Sequence, residues 1–212
     1  SPPKVTPLTR QELNLPEQGI LYVCLQNPMK YSPDFIEILR QLITQTPRAS
    51  LVLLQSREPE VQKRVNKAIQ DIPQEQVICL KAPLPRNRYL NILKQADLVL
   101  DTWQYSGGQS TDEALALGVP VLALAGTQAR QRLSLGRLKQ LGLQEMIAQT
   151  PDEYLEMALS LGTNPSKQQA LRQKINQHAA KLLKKQTAPR QFEAALWQMA
   201  QLKGIRKAAK IV

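Results

Sequence analysis

Runs of apolar residues alternate with amphipathic stretches along most of the chain. From about residue 20 the pattern reads strand, helix, strand, helix. Ile20–Gln26 is a short apolar run rich in strand-favouring residues. Ser32-Pro33-Asp34 then carries a helix start: a capping hydroxyl, a proline at the first helical position and an acid in the first turn. Phe35, Ile38, Leu39, Leu42 and Ile43 recur at helical spacing, and Pro47 ends the run. Leu51–Leu54 is the second expected strand. Pro59 to Ile72 is a charged amphipathic helix closed by Pro73, and Val77–Leu80 is the third strand. Arg86–Gln95 reads as helix and Leu98–Leu100 as the fourth strand, ending in Asp101-Thr102.

The pattern continues with a helix over Thr111–Leu117 closed by Gly118, and a fifth strand over Val119–Leu124. Gln128–Leu141 is expected as a helix, with Gly136 as its weak point and Gly142 as its cap. Met146–Ala148 is a short sixth strand and Pro151–Leu161 a further helix. Beyond Gly162 the spacing predicts helices from about Ser166 to Lys185 and Arg190 to Leu202. Ile205–Val212 reads as frayed or disordered. Fully apolar strands that alternate with helices imply a parallel sheet covered on both faces. The expected fold class is therefore α/β, a doubly wound Rossmann-like parallel sheet. Ligands of such sheets bind beyond the carboxyl ends of the strands, where the strand order reverses. That draws attention to the loops after the first, third and fourth strands.

After the first strand comes Gln26-Asn27-Pro28-Met29-Lys30-Tyr31. An ammonium there suits a diphosphate, although a solvated loop lysine looks the same in sequence. After the fourth strand comes Tyr105-Ser106-Gly107-Gly108-Gln109-Ser110-Thr111. Free N–H groups and the dipole at a helix mouth bind anions, and glycines let a diphosphate approach closely. Ser110 and Thr111 offer hydroxyls to a ligand or caps to the helix. A plain capped turn fits the local pattern equally well, for this is neither the Walker nor the dinucleotide spacing. Asp112 and Glu113 come next. One such carboxylate can accept ribose hydroxyls, but adjacent helical residues point about 100° apart, so at most one faces a ligand. After the third strand, Leu84 offers backbone groups to a base edge, and Arg86 or Tyr89 could stack on it. Packing into the core is the alternative for Tyr89.

The totals narrow the field. The chain has 212 residues and a net charge of +11. The segment from Leu171 onward holds ten Lys or Arg and one acid, Glu193, so the charge belongs to the C-terminal region. With few aromatics to stack bases, this reads as a solvated basic face and not as a nucleic-acid site. One histidine, His178, and two separated cysteines, Cys24 and Cys79, make no metal set. His178 is expected at the surface. The cysteines are expected as buried free thiols in a reducing cytoplasm. The longest uncharged apolar stretch, Ala114 to Gly126, is too short to span a bilayer, which needs about 20 residues. The start Ser-Pro-Pro suggests a fragment of a longer protein. The expected organisation is a linker or remnant over 1–14, a Rossmann-like ligand-binding domain over 15–163, packing helices over 164–203 and a basic tail over 204–212.

Five stretches in order, LPEQGILYVCLQNPMKYSP, RASLVLLQS, PLPRNRYLNILKQADLVLDT, GGQSTDEALALGVPVLAL and QLGLQEMIAQTPDEYLEMALSLGT, carry a resemblance. Over roughly Leu15 to Gln201 the chain resembles the C-terminal catalytic half of the O-linked N-acetylglucosaminyltransferase and SPINDLY group of glycosyltransferases. The resemblance implies a two-domain GT-B enzyme, inverting and metal-independent, with no cofactor and a UDP-sugar as substrate. Its protein acceptor would be held through an N-terminal domain outside this chain. It matches Lys30 to the family's diphosphate-binding lysine and Gln26 to the polar residue that faces the sugar nucleotide. Glu113 matches the ribose-holding acid, and Gln109 and Ser110 fall on a pair of phosphate-contacting threonines. The chain departs from the family at three positions: Gly108 replaces a histidine, Tyr89 a base-stacking histidine and Arg86 a lysine.

Overall fold

The computed structural model describes residues 3–182 and 187–202. Six strands alternate with helices: β1 Ile20–Cys24, α1 Pro33–Thr44, β2 Ala49–Leu54, α2 Pro59–Ile69, β3 Val77–Leu80, α3 Arg86–Gln95, β4 Leu98–Leu100, α4 Gln109–Ala116, β5 Val121–Leu124, α5 Leu133–Gln140, β6 Ile147–Ala148 and α6 Pro151–Thr163. Two longer helices complete the described chain, α7 Pro165–Leu182 and α8 Thr187–Leu202.

The sheet has the order β3-β2-β1-β4-β5-β6, and every pairing is parallel. This is the doubly wound order, with its reversal between β1 and β4. Both of these strands are buried almost throughout, as all-apolar sequences between two helical layers require. Edge strand β3 is only half-buried over most of its length, and Cys79 with it. Cys24 on β1 is fully buried; Cys79 departs from the expected burial because no strand covers its outer edge.

Most boundaries fall within two or three residues of expectation. Three differences have physical reasons. Helix α4 starts at Gln109 with Gly108 as N-cap, so Ser110 and Thr111 lie inside the first turn and cap nothing. The stretch 128–141 breaks at Arg132 and not at Gly136. A one-turn 3-10 helix, Ala129–Gln131, closes on a capping box between Gln128 and Gln131 before α5 begins. Helix α2 ends at Ile69, earlier than Ile72, and the Gln74 side-chain amide donates to the Ile69 and Ile72 carbonyls that this ending leaves free.

A line of aromatic rings runs under the sheet's carboxyl edge. Tyr31 meets Phe35, Phe35 meets Trp103 edge-on at 5.1 Å, and Trp103 meets Tyr154 at 5.3 Å. The two end hydroxyls satisfy backbone carbonyls where strands finish: Tyr31 donates to Cys24 O and Gln26 O, and Tyr154 to Asp101 O. The loops after β1 and β4 are thereby pinned to one hydrophobic layer.

Ahead of β1, Thr6 and Leu8 are strapped to α3. The Thr6 and Leu8 N–H groups donate to the side chains of Asn87 and Asn91, and Leu13 is fully buried. Helix α7 packs on the domain through Leu171 and Ile175 and through Arg172, which donates to the Gly118 and Ala96 carbonyls. On α8, Phe192, Leu196 and Met199 are exposed. His178, expected at the surface, is half-buried, and its Nδ1 is buried without a hydrogen-bond partner among the described residues. The expected frayed segment 205–212 lies outside the described residues.

Gly162 closes the core against Tyr22, whose ring is fully buried and whose hydroxyl donates to Ala158 O. A Cβ at 162 would overlap that hydroxyl and ring. Gly162→Ala is expected to lower stability by about 1–3 kcal/mol through overpacking, read from urea unfolding. Equal midpoints for the variant and the parent would contradict this packing.

Candidate functional site

The loops after β1, β3 and β4 meet at the carboxyl rim where the strand order reverses. After β1 the chain makes one 3-10 turn, Pro28–Lys30, capped by the Asn27 side chain accepting from Met29 N–H. Arg64 of α2 donates to Pro28 O and holds the turn from the side. The turn presents Lys30, whose Nζ donates to Gln26 Oε1 at 2.9 Å and lies 4.7 Å from the Tyr105 ring centroid. Burial pulls the Lys30 pKa below its ordinary value, while nearby Asp101 pulls it back up.

Gln26 lies beneath the rim and is buried. Its Nε2 donates to Ser110 Oγ at 3.0 Å and to Asp101 Oδ1 at 3.4 Å. The residue expected to face a sugar nucleotide instead links the two loops, because both ends of its amide are taken up by protein. Asp101 is a buried acid beneath the rim and is not among the expected site residues. It sits directly after β4, is buried, and accepts from the Gly107 N–H at 2.7 Å. Burial pushes its pKa up to about 6, against hydrogen bonds from Ser134 and Gly107 and the charge of Lys30. An acid immediately after an all-apolar strand was the available signal.

The glycine pair has two different causes. At Gly107 a Cβ would come to 2.5 Å from Gln26 Nε2 and Thr111 Oγ1 and 2.8 Å from Ser110 Oγ, so three polar side chains pack where only hydrogen fits. At Gly108 a Cβ would meet only Leu133 Cδ1 at 3.9 Å, so the space is open. Thr111 is buried, and its hydroxyl shares a hydrogen bond with Ser134 Oγ at 2.7 Å. It faces the α5 side and not the rim, contrary to expectation, because helix α4 begins two residues earlier than its pattern suggests. Gln109 and Ser110 remain at the helix mouth.

Glu113 is almost fully buried and faces the rim. Arg86 reaches its Oε1 at 2.7 Å, and Gln109 Nε2 donates to the same oxygen at 2.7 Å. Asp112 points away and pairs with Arg137 at 2.6 Å. The two acids therefore divide as the helical angle requires, one inward and one outward. Arg86 also lies 5.8 Å from the Tyr89 ring centroid, and burial beside Glu113 pushes the Tyr89 pKa up. Tyr89 is half-buried against the core with a face open to the rim.

Two shallow hollows share this rim. Leu84, Arg86, Tyr89, Gln109, Ser110 and Glu113 line one of about 340 Å³. Lys30, Asn27, Met29, Tyr105 and Arg130 are among those lining another of about 420 Å³. The Lys30–Gln26–Ser110 hydrogen bonds join them. Of the expected site residues, Lys30, Leu84, Arg86, Tyr89, Gln109, Ser110 and Glu113 line this double hollow. Gly107 lies just under it, Gly108 borders it as the helix cap, and Gln26 and Thr111 are turned inward. Among the described residues no cluster of three His, Cys, Asp or Glu side chains could hold a metal ion, and no helix is long and apolar enough to cross a membrane.

A doubly wound domain with a cation, an open helix mouth and an inward carboxylate along its switch point has the form of the Rossmann-like half of a GT-B glycosyltransferase. The chain belongs to glycosyl transferase family 41, whose description it matches over residues 1–188. It is 23% identical over 76% of its length to a probable UDP-N-acetylglucosamine–peptide N-acetylglucosaminyltransferase SPINDLY of Petunia hybrida, covering 18% of that protein. It is 26% identical over 78% of its length to the probable transferase SEC of Arabidopsis thaliana, covering 17% of it. Among solved structures, an O-GlcNAc transferase mutant of Thermobaculum terrenum superposes with a TM-score of 0.76 at 27% identity, over 85% of this chain and 36% of that one. Anabaena HepE, solved with UDP and glucose, shares the fold with a TM-score of 0.65 at 18% identity, over 89% of this chain and 51% of that one. The chain thus spans less than one-fifth of the length of these plant relatives.

The buried Asp101 sets a pH dependence of folding. Its carboxyl titrates near 6 in the folded chain and at about 3.9 when unfolded. Its contribution is therefore fully present below the unfolded value and is lost as pH rises through about 6. Asp101→Asn should remove a slope of about 3 kcal/mol between about pH 4 and pH 7. Urea titrations of parent and variant at both pH values measure it. A stability difference between the two proteins that is constant with pH would refute the assignment.

Proposed function

We propose that this chain is the donor-binding half of a metal-independent inverting glycosyltransferase that transfers N-acetylglucosamine from UDP to protein. One observation carries the reading. The Lys30 ammonium is linked through Gln26 to Ser110, which lines the same hollow as the Glu113 carboxylate, and the two hollows along this rim leave room for a nucleoside diphosphate. The names of the family 41 relatives supply the class of donor and acceptor.

In this reading the nucleoside lies in the Leu84–Tyr89–Glu113 hollow. Arg86 and Tyr89 flank the base. The ribose hydroxyls meet the Glu113 carboxylate, which Arg86 and Gln109 hold at Oε1. The diphosphate lies over Ser110 Oγ and the N–H groups at the mouth of α4, with Lys30 at its far end. During transfer an acceptor hydroxyl oxygen attacks the anomeric carbon on the face opposite the diphosphate. The bond from that carbon to the β-phosphate oxygen breaks, and its electron pair leaves with UDP. The charge that develops on the diphosphate meets fixed donors already in place, which is where this half lowers the barrier. The acceptor site and the group that takes the acceptor's proton belong to the rest of the enzyme. A cytoplasmic setting suits the two unbridged cysteines.

A second reading, a degenerate transferase domain kept as an interaction module, draws on Gly108. Nothing in the packing demands glycine there, and the family's phosphate-facing histidine is missing. UDP binding alone fits both readings. Sugar transfer by the whole protein would remove the second.

Calorimetric titration of the chain with UDP tests the first. Binding is expected in the presence of EDTA. Lys30→Ala and Glu113→Ala should each weaken it tenfold or more, since each loses a charge-assisted contact worth about 1.5–3 kcal/mol. No heat with UDP or GDP at millimolar concentration, or undiminished binding by both variants, would sink the proposal.

A further inference from the structure

We propose that Asp101 is a positioning residue for the nucleotide-sugar site. As a buried carboxylate it fixes which way the Gln26 amide points, and so aims Lys30 and Ser110 at the diphosphate. The inference deepens the function proposed above and rests on it.

The argument is one of donors and acceptors. A glutamine side chain has an acceptor end and a donor end, and the network decides which faces where. Here the donor end meets two acceptors, Asp101 Oδ1 at 3.4 Å and Ser110 Oγ at 3.0 Å. The acceptor end meets the Lys30 ammonium at 2.9 Å, a group that can only donate. Turned over, the amide would set its oxygen against the carboxylate and its N–H₂ against the ammonium. Asp101 itself is held by the Gly107 N–H at 2.7 Å, and Gly107 has no side chain because Gln26, Ser110 and Thr111 close over it. The whole arrangement is fixed by packing.

Two consequences reach the rim. Ser110 Oγ already accepts from Gln26, so its own proton is free to point outward to a phosphate oxygen. Lys30 gives one proton to Gln26 and keeps two for the ligand. The amide links Asp101 to both groups, and the charge of Asp101 also acts directly on Lys30.

The groups facing Asp101 come from four elements. Lys30 stands on the turn after β1, Cys24 on β1, Ser134 on α5 and Tyr154 on α6. Burial pushes the Cys24 thiol up to about 12 and the Tyr154 phenol well above its ordinary value, so both keep their protons near neutrality. Lys30 is thus the charge that Asp101 works with. Protonating Asp101 turns an acceptor into a donor and removes one of the two causes of the amide's orientation, leaving Lys30 as the other. Burial places that event near pH 6.

The test is calorimetric titration of the chain with UDP-N-acetylglucosamine, whose diphosphate diester has no proton to exchange between about pH 5 and pH 8. If only the ionised form of Asp101 presents the cradle, apparent affinity should fall about tenfold at pH 5. Asp101→Asn should bind more weakly at neutral pH and with no such fall. Gln26→Met leaves the carboxylate in place but removes the amide, and it too should lose the fall. This second variant keeps the test decisive should Asp101→Asn fail to fold. A fall of the same size in Gln26→Met, or in a folded Asp101→Asn, would overturn the inference while leaving nucleotide binding intact. A parent chain that binds nothing at any pH would instead overturn the functional reading beneath it. An affinity that rises on acidification would assign the titration to Lys30 and also overturn the inference.

Discussion

Everything at the working edge derives from the reversal of strand order between β1 and β4. The chain leaves these neighbours in opposite directions, so the loops above them part and open a trough. A trough at the end of a buried sheet exposes strand-end carbonyls and helix-start amides with no regular partner. This domain satisfies the carbonyls from below, with the Tyr31 and Tyr154 hydroxyls at the two ends of an aromatic line. It leaves the amides at the mouth of α4 facing outward. The division between satisfied and unsatisfied backbone is what makes one edge of the sheet a site.

The polar groups of the trough are ordered by charge. A buried anion under the glycine turn, a neutral amide above it and a cation at the surface form a ladder of alternating sense. Burying Asp101 costs stability, which is why its proton is held more tightly than usual. The hydrogen bonds from Gly107 and Gln26 offset part of that cost and give the two loops a fixed separation. Glu113 is held similarly, by Arg86 from α3 and Gln109 from its own helix. A site built this way is shaped before any ligand arrives, which suits binding through fixed dipoles.

Much of this was legible in sequence. All-apolar strands alternating with amphipathic helices gave the parallel sheet, and Ser32-Pro33 and Gly118 marked helix ends by residue chemistry alone. Lys30, Ser110 and the Asp112–Glu113 pair stood out because they come after strands one and four, and the family resemblance chose Glu113 of the two acids. What escaped depended on contacts across long stretches of chain. Asp101 read as the end of a strand because its partners are Gln26, 75 residues earlier, and a turn whose path sequence does not show. Thr111 looked like a ligand group until Ser134, 23 residues later, was seen to take its hydroxyl. The break at Arg132 came from a capping box of two glutamines, a pairing no glycine signal announces.

Helix α3 has two duties on opposite sides. Its Arg86 and Tyr89 line the hollow beside Glu113, while Asn87 and Asn91 hold the backbone of residues 6 and 8. The helix is therefore a lever with the incoming polypeptide tied to its back. A tilt of the helix pulls on that tie, and a shift of the tie moves the guanidinium paired with Glu113. Residues 6 to 8 and the Glu113 carboxylate are thereby parts of one connected unit.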